Sequence, residues 1–360
     1  MRGEETMPDR RLQQRGPTVK DVAALAGVSV MSVSRVCDPN YTGQVSPEMR
    51  SKVVEAIQAL GYRPDYAARS LRKGRTDTVG FYNGYRGLML LSDDFPRSLF
   101  IGLQDELTNL GQDLLIYNVP DNPRSPADVV HDVSMSKVDG IVFLPQHGDE
   151  ELSQLLSESH QKVVTIVEAM PGLPAITAQD SVASAQLARH LYERGHRHVM
   201  YRRARANLTS SRRRFEAFSA EAAKLGMLVT ATTTTELYDV LDDVERETIR
   251  QSRSLGFTAI VGWHDYAAVM AMLFCRDIGM TIPGDMAFAG FDKLKPAICP
   301  KGIDMTTVVS NWTEVARRGV DYIVGGVDAA FKPEREDHLR DNGGLPEIQI
   351  QSPLYIGNTT

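Results

Sequence analysis

From Asp77 to the C-terminus, short apolar runs alternate with longer amphipathic stretches, and this alternation restricts the fold more than any other feature of the chain. The runs fall at 78–82, 113–118, 140–144, 162–167, 198–202, 227–232, 259–262 and 286–290. Between them, 98–111, 125–137, 149–160, 181–194, 210–225, 236–254, 264–279 and 311–324 read as helices. Strands separated by helices pair in parallel, with helices covering both faces of the sheet. Eight such units predict an α/β body of two doubly wound lobes. An eight-stranded barrel has the same unit count and is the competing architecture.

The 360-residue length allows two or three domains with a large core. At 42% hydrophobic and 24% charged, the chain is excluded from the disordered and fibrous classes. No run of about 18 apolar residues occurs, so no membrane span is expected. The opening MRGEETMPDRRLQQRG lacks the apolar stretch of a signal peptide, and the three scattered cysteines suit a reducing compartment. A cytoplasmic protein is expected.

The net charge of -6 hides a split. Residues 1–76 hold 13 Lys and Arg against 8 Asp and Glu, a net of +5, which leaves -11 for residues 77–360. A small basic segment on a large acidic body is the asymmetry of a nucleic-acid reader carrying a sensor. Residues 1–17 are polar and read as a loose tail. Three short helices follow. Thr18 caps the first, with Asp21 at its third position, and Gly27 ends it; Ser29 caps the second, roughly 30–37; Ser46 and Pro47 open a third that stops at Gly61. With only a short turn between the first two, this is a helix-turn-helix unit.

The segments TVKDVA (18–23), AGVS (26–29), SVSRV (32–36) and LGY (60–62) with Pro64, then Ala68, Arg69 and Leu71, closely resemble the DNA-binding head of LacI/GalR-family transcription regulators. More loosely, Gly279–Pro283, Ala289–Asp292 and Thr306–Val308 resemble segments of the same family's sensor body. The resemblance spans nearly all of residues 18–358. It implies a small all-α head (18–63), a hinge helix and linker (64–76), and a two-lobed periplasmic-binding-protein-like body (77–358). The lobes are expected at about 77–178 with 309–337, and at about 179–308 with 338–358.

The second helix of a helix-turn-helix lies in the major groove and offers its N-terminal residues to base edges. Val30 and Met31 suit thymine methyl groups, the rival reading being packing against the third helix. Arg35 suits a bidentate pair with guanine, a phosphate contact being its rival. Thr18, Ser32, Ser34, Asn40 and Tyr41 are read as phosphate contacts, with Ser29, the cap itself, beside them. The resemblance makes Leu71 the wedge that a hinge helix drives into the minor groove, a device that kinks the duplex.

For the body, the resemblance implies an effector held between the lobes by Arg214, Asp180, Asp292, the pair His264 and Asp265, and Phe95. One fork donor and several acceptors suit sugar or nucleoside hydroxyls. Each has a local alternative: the arginine run 212–214 as a solvated face, His264 and Asp180 as helix caps. Asp93-Asp94-Phe95-Pro96, Lys293 after Asp292, and His264 before Asp265 depart from the family pattern, so a simple hexose is not assumed. Trp263 lines the pocket or fills the core.

No dinucleotide or P-loop glycine pattern, GxSxG or HExxH occurs, so an enzyme is left without nucleophile or cofactor loop. No cofactor and no metal are expected; His190, His196 and His198 read as loop residues. A pure binding protein explains the body but not residues 18–72. The expectation is therefore a ligand-responsive transcription regulator, most simply a repressor. Its partners would be double-stranded operator DNA, a sugar-like small-molecule effector and a second copy of itself. Without leucine heptads at the C-terminus, a homodimer reading a pseudo-palindrome is expected.

Overall fold

The computed structural model describes residues 16–38, 41–63, 70, 73–84, 94–118, 125–135, 137–146, 148–205, 208–234, 240–294, 298–334 and 337–360. The chain divides into a head, Met1–Arg75, and a body, Thr76–Thr360.

In the head, α1 (Val19–Ala26), α2 (Val30–Cys37) and α3 (Pro47–Leu60) form where the caps place them. Asp21 accepts from both the backbone N–H and the hydroxyl of Thr18 (2.7 Å each), Ser29 Oγ accepts from Ser32 N–H (3.1 Å), and Ser46 Oγ accepts from Met49 N–H (3.3 Å). These bonds satisfy N–H groups that a helix start leaves open. Gly27, at φ 64, turns the chain out of α1 through a conformation that side chains rarely adopt. Val22, Ala23, Val33, Val53 and Ala56 form the buried core that fixes the three helices.

The body contains two sheets. The first has the order β11 (His338–Asp341), β12 (Pro346–Ile350), β5 (Ala175–Ala178), β4 (Val163–Ile166), β3 (Ile141–Leu144), β1 (Thr78–Asn83), β2 (Asp113–Asn118). The second has the order β13 (Leu354–Tyr355), β10 (Thr306–Val308), β9 (Ala287–Phe291), β8 (Ala259–Gly262), β6 (His198–Arg203), β7 (Leu228–Thr233). Pairing is parallel except at β11 on β12 and β13 on β10. Two open sheets exclude the barrel.

Helices cover both faces of each sheet. On the first, α4 (Asp94–Leu110) and α12 (Trp312–Gly325) bury Leu99, Leu103, Val315 and Val320, while α5 (Pro126–Val133) and α6 (Glu150–Glu158) bury Val133, Leu152 and Leu156 opposite. A Cβ at Gly102 would overlap the Thr313 backbone, so glycine is what lets α4 and α12 approach so closely. On the second, α7 (Asp180–Glu193) and α8 (Thr209–Lys224) bury Leu187, Leu191 and Phe218. There α9 (Asp243–Arg250), α10 (Ser252–Leu255) and α11 (Asp265–Asp277) follow, with Ile249, Val269 and Met272 buried. A last short helix, α13, is Val327–Ala330.

The lobe boundary differs from expectation at the C-terminus. Residues 338–350, expected in the second lobe, form β11 and β12 of the first sheet; β12 lies parallel to β5, Glu347 opposite Ala175 and Ile350 opposite Ala178. Ile348 and Ile350 complete the first core, and this burial outweighs the polar residues around them. The chain therefore crosses between lobes at Gln179, at 309–311 and at 351–353. The second lobe also continues past 358: Thr359 and Thr360 are buried, with Thr359 exchanging both backbone and side-chain hydrogen bonds with Phe288. Among the described residues, no helix is long and apolar enough to cross a membrane.

Candidate DNA interface and effector cleft

On α2 the exposed and buried residues separate cleanly. Val33 is fully buried, whereas Val30 is 40% and Met31 63% exposed. Both apolar side chains are thus left out of the core, and packing against the third helix does not account for them. Arg35 is exposed on the same helix; its Nη2 donates to Met31 Sδ (3.4 Å), and its guanidinium stands 5.5 Å from the centre of the Tyr41 ring. Ser32 and Ser29 share a hydroxyl bond (2.9 Å), so part of their capacity is spent on the cap. Thr18 and Ser34 are partly exposed. Asn40 and Leu71 lie outside the described residues.

In the body, α8 carries Arg214 into the interior between α7 and the end of β9. Its Nε donates to Asp180 Oδ1 (2.6 Å), Nη2 to Asp292 Oδ1 (2.8 Å), and Nη1 to Asp292 Oδ2 (3.3 Å) and the Trp263 carbonyl (2.9 Å). The guanidinium also lies 4.8 Å over the Phe291 ring. Asp292 sits at φ 90 and Lys293 at φ 52, strained positions for non-glycine residues that recur where function constrains the backbone. Ser310 donates to Asp292 Oδ1 (2.8 Å), which joins a crossover segment to the cage.

The electrostatics follow from burial. Burial raises the Asp180 carboxyl, and the Arg214 guanidinium beside it only partly opposes this. Burial by itself would lower Arg214, but Asp292 and Asp180 reverse that and hold its proton more tightly than usual. One guanidinium shared by two carboxylates leaves an acceptor surplus, and Asp180 Oδ2 is buried without a hydrogen-bond partner among the described residues. Beside the cage opens a groove of about 580 Å³, lined in part by Asp94, Ser98, Asp292, Lys293, Ser310 and Trp312.

The other expected residues have local roles. His264 caps α11, its Nδ1 accepting from Ala267 N–H (3.1 Å). Asp265 is buried beneath the loop after β9; Thr307 Oγ1 and Leu294 N–H donate to it (2.7 Å each), and burial holds its carboxyl well above the usual range. Phe95, in the first turn of α4, packs edge-on against Trp312 at 5.2 Å. Trp263 lies half-buried against the second core, its ring tilted against that of His264 with centres 3.9 Å apart. Of the arginine run, 212 is exposed, Arg213 binds both oxygens of Glu347, and Arg214 is buried, so two of the three are engaged and the run is not a solvated face.

Sequence reasoning missed Glu168, Ser210, Arg213, Glu347, Ser310 and Trp312. Glu168 follows directly on an apolar strand, where a carboxylate is out of place; that was the available signal. Glu347 gave none, because the strand that buries it was not expected.

A helix-turn-helix head joined to a two-sheet body with a charged cage near the lobe crossovers defines a class, the DNA-binding transcriptional regulator with a periplasmic-binding-protein-like body. Comparison with known proteins agrees. Residues 18–65 match the family described as "Bacterial regulatory proteins, lacI family", and residues 188–340 match "Periplasmic binding protein-like domain". The HTH-type transcriptional regulator GalR of Escherichia coli is 28% identical over 346 residues, 94% of each chain. CelR of Thermobifida fusca is 27% identical over 355 residues, 92% of this chain and 99% of its own. Among solved structures, the lac repressor dimer bound to operator and an anti-inducer shares the fold with a TM-score of 0.75 at 18% identity, covering 96% of this chain and 99% of that one. A CelR–cellobiose complex does so with 0.64 at 23% identity, covering 96% and 100%. Residues 18–65 thus carry the head of the lacI family, and the chain is similar to HTH-type transcriptional regulators over nearly its whole length.

Proposed function

We propose that this regulator is a cytoplasmic repressor without enzymatic activity. It binds a pseudo-palindromic operator as a homodimer and is controlled by a sugar-like effector held between its lobes. The observation that carries the effector reading is the buried Asp180–Arg214–Asp292 cage with its unpartnered carboxylate oxygen. A cage rich in acceptors suits a ligand rich in hydroxyl donors. The similar regulator CelR, seen in complex with cellobiose, supports a carbohydrate. Phe95, His264 and Asp265 join the cage as effector-side residues, Asp265 by holding the Leu294 loop in place.

On the DNA side, Val30, Met31 and Arg35 read base edges, and Thr18, Ser29, Ser32, Ser34, Asn40 and Tyr41 position the head on phosphates. Leu71 is the minor-groove wedge. Effector and operator are linked through the body, with a coupling of about 1–3 kcal/mol that is reciprocal between the two.

The test is a thermal-shift screen of the purified chain against mono- and disaccharides, sugar phosphates and nucleosides. A ligand at 100 times its Kd adds about 2.7 kcal/mol of stability. A carbohydrate hit that also changes operator affinity supports the reading. Stabilisation by none of the panel removes the sugar effector and leaves the body as a dimerisation platform.

A further inference from the structure

Several contacts tie the first lobe to a single turn of the second. The chain leaves β4 through a γ-turn: Glu168 N–H donates to the Ile166 carbonyl (2.8 Å) across Val167, whose φ is 73. A β-branched residue at positive φ is strained and persists only where its surroundings hold it. The turn delivers the buried Glu168 onto the start of α8, where Oε2 accepts from Ser210 N–H (3.0 Å) and Oε1 from the Ser210 hydroxyl. Beside it, the Thr209 hydroxyl donates to the Ala169 carbonyl (3.3 Å). Glu347 of β12 receives the Arg213 guanidinium, with Nη2 to Oε2 at 2.8 Å. Thr177 (2.6 Å) and Gln349 (3.2 Å) also donate to Glu347 and hold it in place. Arg214 of the cage is the next residue along.

We propose that Glu168 and Glu347 form an interlobe latch that grips the first turn of α8 and sets how readily the cleft opens to an effector. This deepens the effector reading above and rests on it. The two glutamates differ in kind. Burial would raise Glu347, but the Arg213 and Thr177 hydrogen bonds reverse this and keep it below its ordinary range, so it remains an ionised anchor. Burial pushes Glu168 up to about 7; the Ser210 hydrogen bonds oppose this, Asp180 of α7 adds to it, and Arg214 of α8 opposes it, with Arg213 of α8 also facing it. The neutral acid keeps both bonds, its carbonyl oxygen accepting from Ser210 N–H and its O–H donating to Ser210 Oγ.

The sign follows from linkage. In an open cleft Glu168 returns toward the ordinary 4.5, so the closed arrangement binds the proton more tightly. Its contribution to closure is complete below about 4.5, declines as pH rises, and is lost above about 7. The latch therefore loosens toward the alkaline side.

Hydrogen exchange of the effector-free full chain, read by mass spectrometry, tests this. In Glu168→Ala, which removes both Ser210 hydrogen bonds, peptides covering 167–172 and 208–216 should exchange at least about tenfold faster, while the peptide over 259–262 stays protected. In the wild type, protection at 208–216 should fall between pH 6 and pH 8 after correction for intrinsic rates; in Glu168→Gln it should not. If Glu168→Ala does not fold, Arg213→Gln breaks the other half of the latch and is read in the same way. Unchanged exchange at 208–216, a rise spread evenly through the second lobe, or equal pH slopes in wild type and Glu168→Gln would each overturn the proposal. No ligand is used, so a failed latch leaves the effector reading intact, and a failed ligand screen leaves these contacts standing.

Discussion

The head and the cleft handle their functional side chains in opposite ways. On α2 the groups proposed to face DNA, Val30, Met31 and Arg35, are exposed, supported by a helix cap, by a neighbour one turn away and by the Tyr41 ring. In the cleft the arginines are committed to carboxylates: the buried Arg214 to Asp180 and Asp292, and the largely buried Arg213 to Glu347. An exposed group keeps its bonding capacity for a partner and loses little when removed. A buried charge is already committed, so its removal strands the charges left behind. On the proposed reading the head would meet DNA nearly as it is, while the cleft would exchange existing partners for a ligand.

This contrast can be broken most directly at the cage. Arg214→Ala leaves two buried carboxylates without their cation and should cost about 3–5 kcal/mol of stability in urea unfolding. It should also abolish any effector-induced shift. A loss below about 1 kcal/mol would mean that water, not the guanidinium, already satisfies Asp180 and Asp292, and the cleft would then resemble the head.

At Arg35 the effect should be smaller and confined to binding. Arg35→Ala should cost about 1–3 kcal/mol of operator affinity, concentrated at one base position, with folding stability unchanged. A uniform loss across all sequences, with a shallower salt dependence, would assign the residue to a phosphate instead. The smallest effect should come from the cap itself. Ser29→Ala removes one bond to Ser32 N–H and should lower the stability of the head by about 1 kcal/mol. A change within error would show that the core around Val22, Val33 and Val53 holds α2 unaided.

Legibility in the sequence follows the same divide. The caps Thr18, Ser29 and Ser46, the stop at Gly27 and the inward Val33 act between residues a few positions apart, and all were readable. In the body, strong apolar strands were readable, but the segments now seen as β5 and β10–β13 were not. They are short or polar, and their pairing partners lie far along the chain. Asp180, Arg214 and Asp292 were named because they resemble a family pattern; nothing in their own spacing places them together, since 34 positions separate the first pair and 78 the second.

What the sequence alone determined is therefore the local physics: helix limits, the basic head, and the alternation that predicts parallel strands covered by helices. Tertiary structure alone decided that residues 338–350 return to the first sheet, that Asp265 turns under the Leu294 loop, and that Glu168 and Glu347 meet α8. Those outcomes depend on burial and on hydrogen bonds between distant segments. A carboxylate reads the same in sequence whether solvent, a serine N–H or a guanidinium awaits it.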